Sequence, residues 1–190
     1  ESPGRFVSWV VMLVVLVGSN QKDFSGLPSV PSCAENANSY TENPMVNHLA
    51  ICSWSLQPAD TAALLQSLDT LGLTRVQIAL DAYASDGDEH AALTKAIEDE
   101  KISIVSGMMT TIGEDYSTLD AIKVTGGLRP DAHWEANLAH AKQCAACAKQ
   151  FGIKLVTLHA GFIPEGDPRL HGVMMDRLCH VAQVFNDAGV

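Results

Sequence analysis

Basic residues are scarce in this chain of 190 residues: 12 Lys and Arg stand against 22 Asp and Glu, a net charge of −10. Nucleic-acid backbones are held by clustered cations, and the sequence has no basic stripe to supply them. A nucleic-acid partner is therefore disfavoured. A small anionic substrate is not, because one local site can be positive on an acidic protein. The five cysteines, Cys33, Cys52, Cys144, Cys147 and Cys179, are odd in number and scattered, unlike a disulfide framework. That pattern points to a reducing compartment. Low-complexity tracts are missing. So is any apolar run of about 20 residues, the length a membrane-spanning helix needs. The chain is also short for a complete eightfold α/β barrel of about 250 residues, though long enough for one sizeable core.

The first 44 residues differ from the rest and read as an extension outside any domain. Residues 6–17 (FVSWVVMLVVLV) follow Arg5 and precede a Gly-Ser-Asn turn, which suits the apolar region of a secretory signal. The competing reading is that residues 1–44 are not native coding sequence and that Met45 is the initiator. Localisation follows from that choice: cytoplasmic if Met45 is the start, exported if residues 5–19 are a signal.

From His48 onward a short apolar run, a loop and an amphipathic helix recur. The runs are 49–54, 76–80, 102–106 and 155–158. The first helix has Pro58 suited to its first turn, turns Leu64, Leu65, Leu68 and Leu71 inward at helical spacing, and stops at Gly72. The second opens on a Ser85/Asp88 capping-box spacing and buries Ala92, Leu93, Ala96 and Ile97. After an insertion over 109–130, the third spans about 131–150. Trp134, Leu138, Ala141, Ala145 and Ala148 form its stripe, and Gly152 ends it. The fourth runs from about 170 to 188 with Met174, Leu178, Val181 and Phe185 inward, closed by Gly189. Alternating strands and helices predict parallel strands with helical crossovers. Continuous apolar strands agree with a sheet covered on both faces. Periodicity alone does not separate a doubly wound sheet from a half barrel. The turn after the first run, 53–57 (SWSLQ), has no glycine, which lowers the dinucleotide-binding reading.

Four stretches carry a resemblance: 49–56 (LAICSWSL), 113–119 (GEDYSTL), 125–131 (TGGLRPD) and 158–162 (LHAGF). In this order they resemble sugar phosphate isomerases/epimerases of the xylose-isomerase-like TIM-barrel superfamily, which also holds inosose dehydratases, ketose 3-epimerases and endonuclease IV. The resemblance covers residues 45–190. It implies an α/β fold, the N-terminal half of a (β/α)8 barrel in four βα units, truncated where Val190 would open a fifth strand. It also implies a sugar or sugar phosphate as substrate. The implied cofactor is a divalent metal, with Mn, Mg, Co and Zn not distinguished, held by Glu, Asp, His and Glu from strands five to eight. None of that ligand set maps onto this chain, so the chain as it stands is expected to be inactive and to carry no bound metal. An open sheet edge would then invite self-association. An endonuclease IV-like DNA repair activity is the least favoured alternative, on charge.

Barrel sites lie at the C-terminal ends of strands and in the loops that follow, which singles out Trp54, Asp81, Met108 and His159. His159, before Ala160 and Gly161, is placed to bond a substrate hydroxyl, and the endonuclease-like members imply that it can also bind metal. Trp54 is a candidate wall for a sugar ring, or simply core. Asp81 either faces the site or caps its loop. Glu114 and Tyr116 lie in the insertion, which reads as a lid or as a solvated loop. Cys144 and Cys147 fall mid-helix, so they read as packing residues and not as a redox or zinc pair. His133 and His140 read as surface residues, and Gly126-Gly127 as a turn rather than a phosphate loop.

Overall fold

The computed structural model describes residues 49–163 and 166–190. The readings of residues 1–44 and of Met45 lie outside them. Four parallel strands, β1 (Ile51–Cys52), β2 (Arg75–Ala79), β3 (Ser103–Met109) and β4 (Val156–Leu158), form one sheet. Their order in the sheet is their order in the chain. A doubly wound sheet reverses direction around its first strand. Among the described residues no such reversal occurs, which decides the choice that periodicity left open in favour of a singly wound, barrel-like sheet.

The helices are α1 (Ser53–Leu56), α2 (Thr61–Leu71), α3 (Asp88–Glu98), α4 (Leu119–Thr125), α5 (Trp134–Gln150) and α6 (Pro168–Ala188). Short 3-10 turns at Leu80–Tyr83 and Asp131–His133 lead into α3 and α5. Leu64 and Leu68 of α2, Leu93 and Ala96 of α3, five residues of α5 and Val181 and Phe185 of α6 join Val76, Ile78 and Met109 of the sheet in one core. The same α2 start is tied to α3, where the Glu89 carboxylate accepts from Thr61 N–H (2.7 Å) and Oγ1–H (2.6 Å).

Helix ends follow local chemistry. Asp60, Thr118 and Asp167 cap α2, α4 and α6 through their side chains, each satisfying an N–H that the helix leaves unpaired. Gly72 and Gly189 end α2 and α6 with positive φ, as expected. The Val190 N–H bonds Phe185 O at 3.1 Å and completes the α6 cap.

Several local expectations are corrected. The first strand is two residues long, because Ser53–Leu56 coils into a helical turn. Trp54 is therefore helical and not at a strand end. Pro58 precedes the first turn, which begins after the Asp60 cap. Leu71 and Ala92 are exposed: Leu71 is the last residue of α2, before the Gly72 cap, and Ala92 sits at the margin of the stripe centred on Leu93/Ala96. Gly87, not Ser85, occupies the cap position of α3. The insertion contains α4, which no apolar stripe announced. β3 runs to Met109, three residues past the expected end, and a register shift opposite Val76/Gln77 sets its second half.

That shift also sorts the faces of the sheet. Val76 and Ile78 face the helices, fully buried, whereas Gln77 turns to the other face. There the Gln77 amide donates to Ser106 Oγ (3.0 Å) and to Thr157 Oγ1 (3.3 Å), linking three strands. At the C-terminal end Ser53 Oγ accepts from Ala79 N–H at 2.9 Å and holds the ends of β1 and β2 together.

Candidate functional site

Two clusters form at the C-terminal ends of the strands, and both use the loop after β3. In the first, the insertion folds across the end of β4. His159 Nδ1 lies 2.8 Å from Glu114 Oε1, which also accepts Gly127 N–H at 2.9 Å. Tyr116 donates its OH to Glu114 Oε2 at 3.0 Å. The fit is made by glycine. A Cβ on Gly127 would lie 2.1 Å from the Ala160 carbonyl carbon and oxygen, and one on Gly161 would lie 2.4 Å from Gly126 O. Leu128 N–H then bonds Ala160 O at 3.0 Å. The expected turn at Gly126-Gly127 is thus a seam between two backbones.

Glu114 is the buried anchor, its side chain 9% exposed against 42% for His159. Burial pushes its carboxyl up, but the bonds from His159, Gly127 N–H and Tyr116 outweigh burial and hold it below the ordinary carboxylate range. Burial and the Glu114 charge push the Tyr116 phenol up to about 12, so it stays protonated. A carboxylate accepts only, so His159 donates from Nδ1, which in the neutral ring leaves the lone pair on Nε2. Phe162 meets the His159 ring edge-on and Tyr116 flanks it, each centroid 6.4 Å away.

A group with a depressed pKa stabilises the fold above its unfolded pKa and releases that stability as pH falls through the lower folded value. The Glu114 dock is therefore expected to persist at pH 5 to 8 and to open only below the ordinary carboxylate range. Hydrogen exchange of the α4 amides against pH reads this directly. Glu114→Gln should remove that pH dependence, and an unchanged profile in the variant would count against the assignment.

In the second cluster Asp81 accepts Thr110 Oγ1–H at 2.5 Å and lies 2.5 Å from His140 Nε2. Burial raises Asp81, but His140 and Thr110 outweigh it and the net direction is down. The Asp81 bond raises His140 against the opposing effect of burial. His140 is thus not a surface residue: its side chain is 16% exposed, turned inward by a partner 59 positions away. Cys144 Sγ lies 3.6 Å from His140 Nε2. Cys147 instead donates to Tyr83 O at 3.4 Å. Burial and the Asp81 charge push the two thiols up to about 12 and about 11, which fits inert packing cysteines so long as no metal is present.

The structure brings His159, Glu114 and Tyr116 together and places Asp81 in the neighbouring cluster. Met108 lies half-buried on β3, in register with Ala79 and Thr157. Trp54, 39% exposed on α1, joins neither cluster, and Phe162 provides the aromatic rim instead. Asn137 and Arg177 were not singled out from the sequence. Fully buried Asn137 accepts Ile112 N–H at 2.7 Å and fixes the loop. Arg177 clamps Leu128 and Arg129 from α6. No helix of the described residues is long and apolar enough to cross a membrane.

No protein-family profile matches the chain, and no curated protein sequence matches it. Among solved structures it is similar to a xylose isomerase domain protein from Planctomyces limnophilus, at TM-score 0.59 and 19% identity over 66% of this chain. The chain spans 45% of the length of that protein. At this identity the likeness is one of fold. It agrees with a barrel-like α/β fold and goes no further.

Proposed function

We propose that these four βα units form half of a barrel whose whole is a divalent-metal-dependent isomerase or epimerase of a sugar or sugar phosphate. The observation that carries the reading is the Glu114–His159 pair at the strand ends, on a fold similar to a xylose isomerase domain. Histidines that serve metals or substrates are commonly held by a carboxylate on the other ring nitrogen, and Glu114 stands in that relation to His159. The residues fit the group in this limited sense: His159 Nε2 is the one donor of the cluster left for it, because Glu114 is already engaged on both oxygens. When bound, such an ion polarises the substrate oxygens and makes the adjacent C–H acidic.

The remaining roles belong to the chain itself. Glu114 fixes the His159 tautomer. His159 Nε2 accepts a substrate hydroxyl or ligates at the mouth. Tyr116 and Phe162 offer ring faces to the C–H side of a sugar, and their bodies exclude water around it. The proton-transferring carboxylates are assigned to the other half of the barrel.

Isomerases and epimerases of this kind remove a proton beside a carbonyl. The complete barrel, given Mn2+ or Mg2+ in D2O with a panel of aldoses, ketoses and their phosphates, is expected to place deuterium at that carbon. His159→Gln should lower the rate by about 10–100-fold, the scale on which loss of a supporting contact at a metal site acts. Absence of exchange over the whole panel would sink the reading.

A further inference from the structure

We propose that Asp81, His140 and Cys144 form a zinc-binding site, distinct from the Glu114–His159 cluster and using none of its residues. One carboxylate oxygen, His140 Nε2 and Cys144 Sγ lie within 4.8 Å of one another. His140 and Cys144 are one turn apart on α5, so both face the same side. Asp81 arrives from the 3-10 turn after β2.

Three further observations point to a cation. Asp81 Oδ2 is buried and meets no hydrogen-bond partner among the described residues, while Oδ1 carries both Thr110 and His140. A buried oxygen left in that state is costly, and a cation beside it removes the cost. Second, tetrahedral zinc with bonds of about 2.3 Å to sulfur and about 2.0 Å to nitrogen sets those two ligands roughly 3.6 Å apart. Cys144 Sγ and His140 Nε2 already stand 3.6 Å apart. The Asp81–His140 contact, now 2.5 Å, has to open to roughly 3.4 Å for bonds of about 2.0–2.1 Å, and the Asp81 oxygen, within 4.8 Å of Cys144 Sγ, has to settle roughly 3.5 Å from it. Third, the donors are one sulfur, one imidazole and one carboxylate. That set suits zinc and disfavours magnesium, calcium and manganese, which prefer all-oxygen shells. Three protein ligands leave a fourth position for water.

Binding exchanges the Cys144 S–H bond and the His140 Nε2–H bond for bonds to zinc. The thiol proton leaves to buffer, the Nε2 proton leaves to buffer from an imidazolium or passes to Nδ1 in a neutral ring, and no electron moves. Cys147 stays outside the site, bonded to Tyr83 O.

Cobalt(II) is the probe, because its thiolate complexes absorb in the near ultraviolet and its tetrahedral complexes absorb strongly in the visible. Metal-free protein titrated with Co2+ is expected to show both features at one ion per chain, and Zn2+ should erase them while excess Mg2+ does not. Cys144→Ala should abolish the thiolate band. His140→Gln should weaken binding by at least about 100-fold, since even loss of a residue that only supports a ligand costs 10–100-fold. Cys147→Ala should leave the spectrum unchanged, with far-ultraviolet circular dichroism confirming that each variant folds. A wild-type titration without a thiolate band overturns the proposal irrespective of any variant. So does a Cys144→Ala protein that keeps the band.

Discussion

Gly127→Ala is expected to lower stability by about 2–5 kcal/mol, combining the cost of a left-handed residue with a Cβ and the steric cost of overpacking. The φ of +69° supplies the first part, and the 2.1 Å approach of the new Cβ to the Ala160 carbonyl supplies the second. Neither side can yield by changing a rotamer, because both are backbone. The two segments must separate, which breaks Leu128 N–H to Ala160 O and Gly127 N–H to Glu114 together. Gly152→Ala is the internal control. Its φ is +67°, yet nothing lies within 4 Å of a Cβ there, so only the conformational cost of about 1–2 kcal/mol applies. Urea midpoints at constant slope measure both. Equal losses in the two variants would show that the seam does not constrain the fold.

Arg177→Ala is expected to cost about 1–3 kcal/mol, the range for a buried acceptor left without its donor, with the lost packing of the side chain added. The guanidinium donates from Nη1 to Leu128 O (2.8 Å) and Arg129 O (2.7 Å), pairs with Asp131 through Nη2, and lies 5.2 Å from the Trp134 ring centroid. Truncation leaves the buried Leu128 carbonyl without this donor and opens space beside Trp134. The ion pair itself contributes little, because Asp131 is 89% exposed and water screens it. Asp131→Asn should therefore cost under about 1 kcal/mol. Arg177→Lys should recover only part of the loss, since an ammonium lacks the planar fork. A severe Asp131→Asn variant, or a full rescue by lysine, would reverse the assignment of the clamp to carbonyl bonding.

The parts of this fold legible in the sequence are those that depend on nearby residues. Gly72 and Gly189 announce helix ends because positive φ is a local property. Leu64/Leu68 and Met174/Val181/Phe185 announce buried faces because helical spacing is local too. α4 was not legible for the same reason: it has seven residues and buries only Ile122, too few for a stripe. His159, Glu114 and Tyr116 were reachable through position and resemblance, but their junction depends on a turn at Gly127 that brings residues 45 positions apart into contact. His140 looked like a surface residue because its partner, Asp81, is remote in the chain. Arg177 did leave a signal. It falls between Met174 and Val181 on the buried stripe of α6, where a cation must find acceptors, and carbonyls on the insertion provide them.

The Gln77–Ser106–Thr157 linkage bears on how the sheet keeps its register. Barrel interiors are usually packed with bulky branched side chains. Here the face opposite the helices carries an amide and two hydroxyls that satisfy one another across three strands. None of the three groups is left as a buried polar atom without a partner. A slip of one strand by a single residue would unpair the Gln77 amide from its hydroxyl partners, so this polar triplet penalises misregister where an all-aliphatic face would tolerate it.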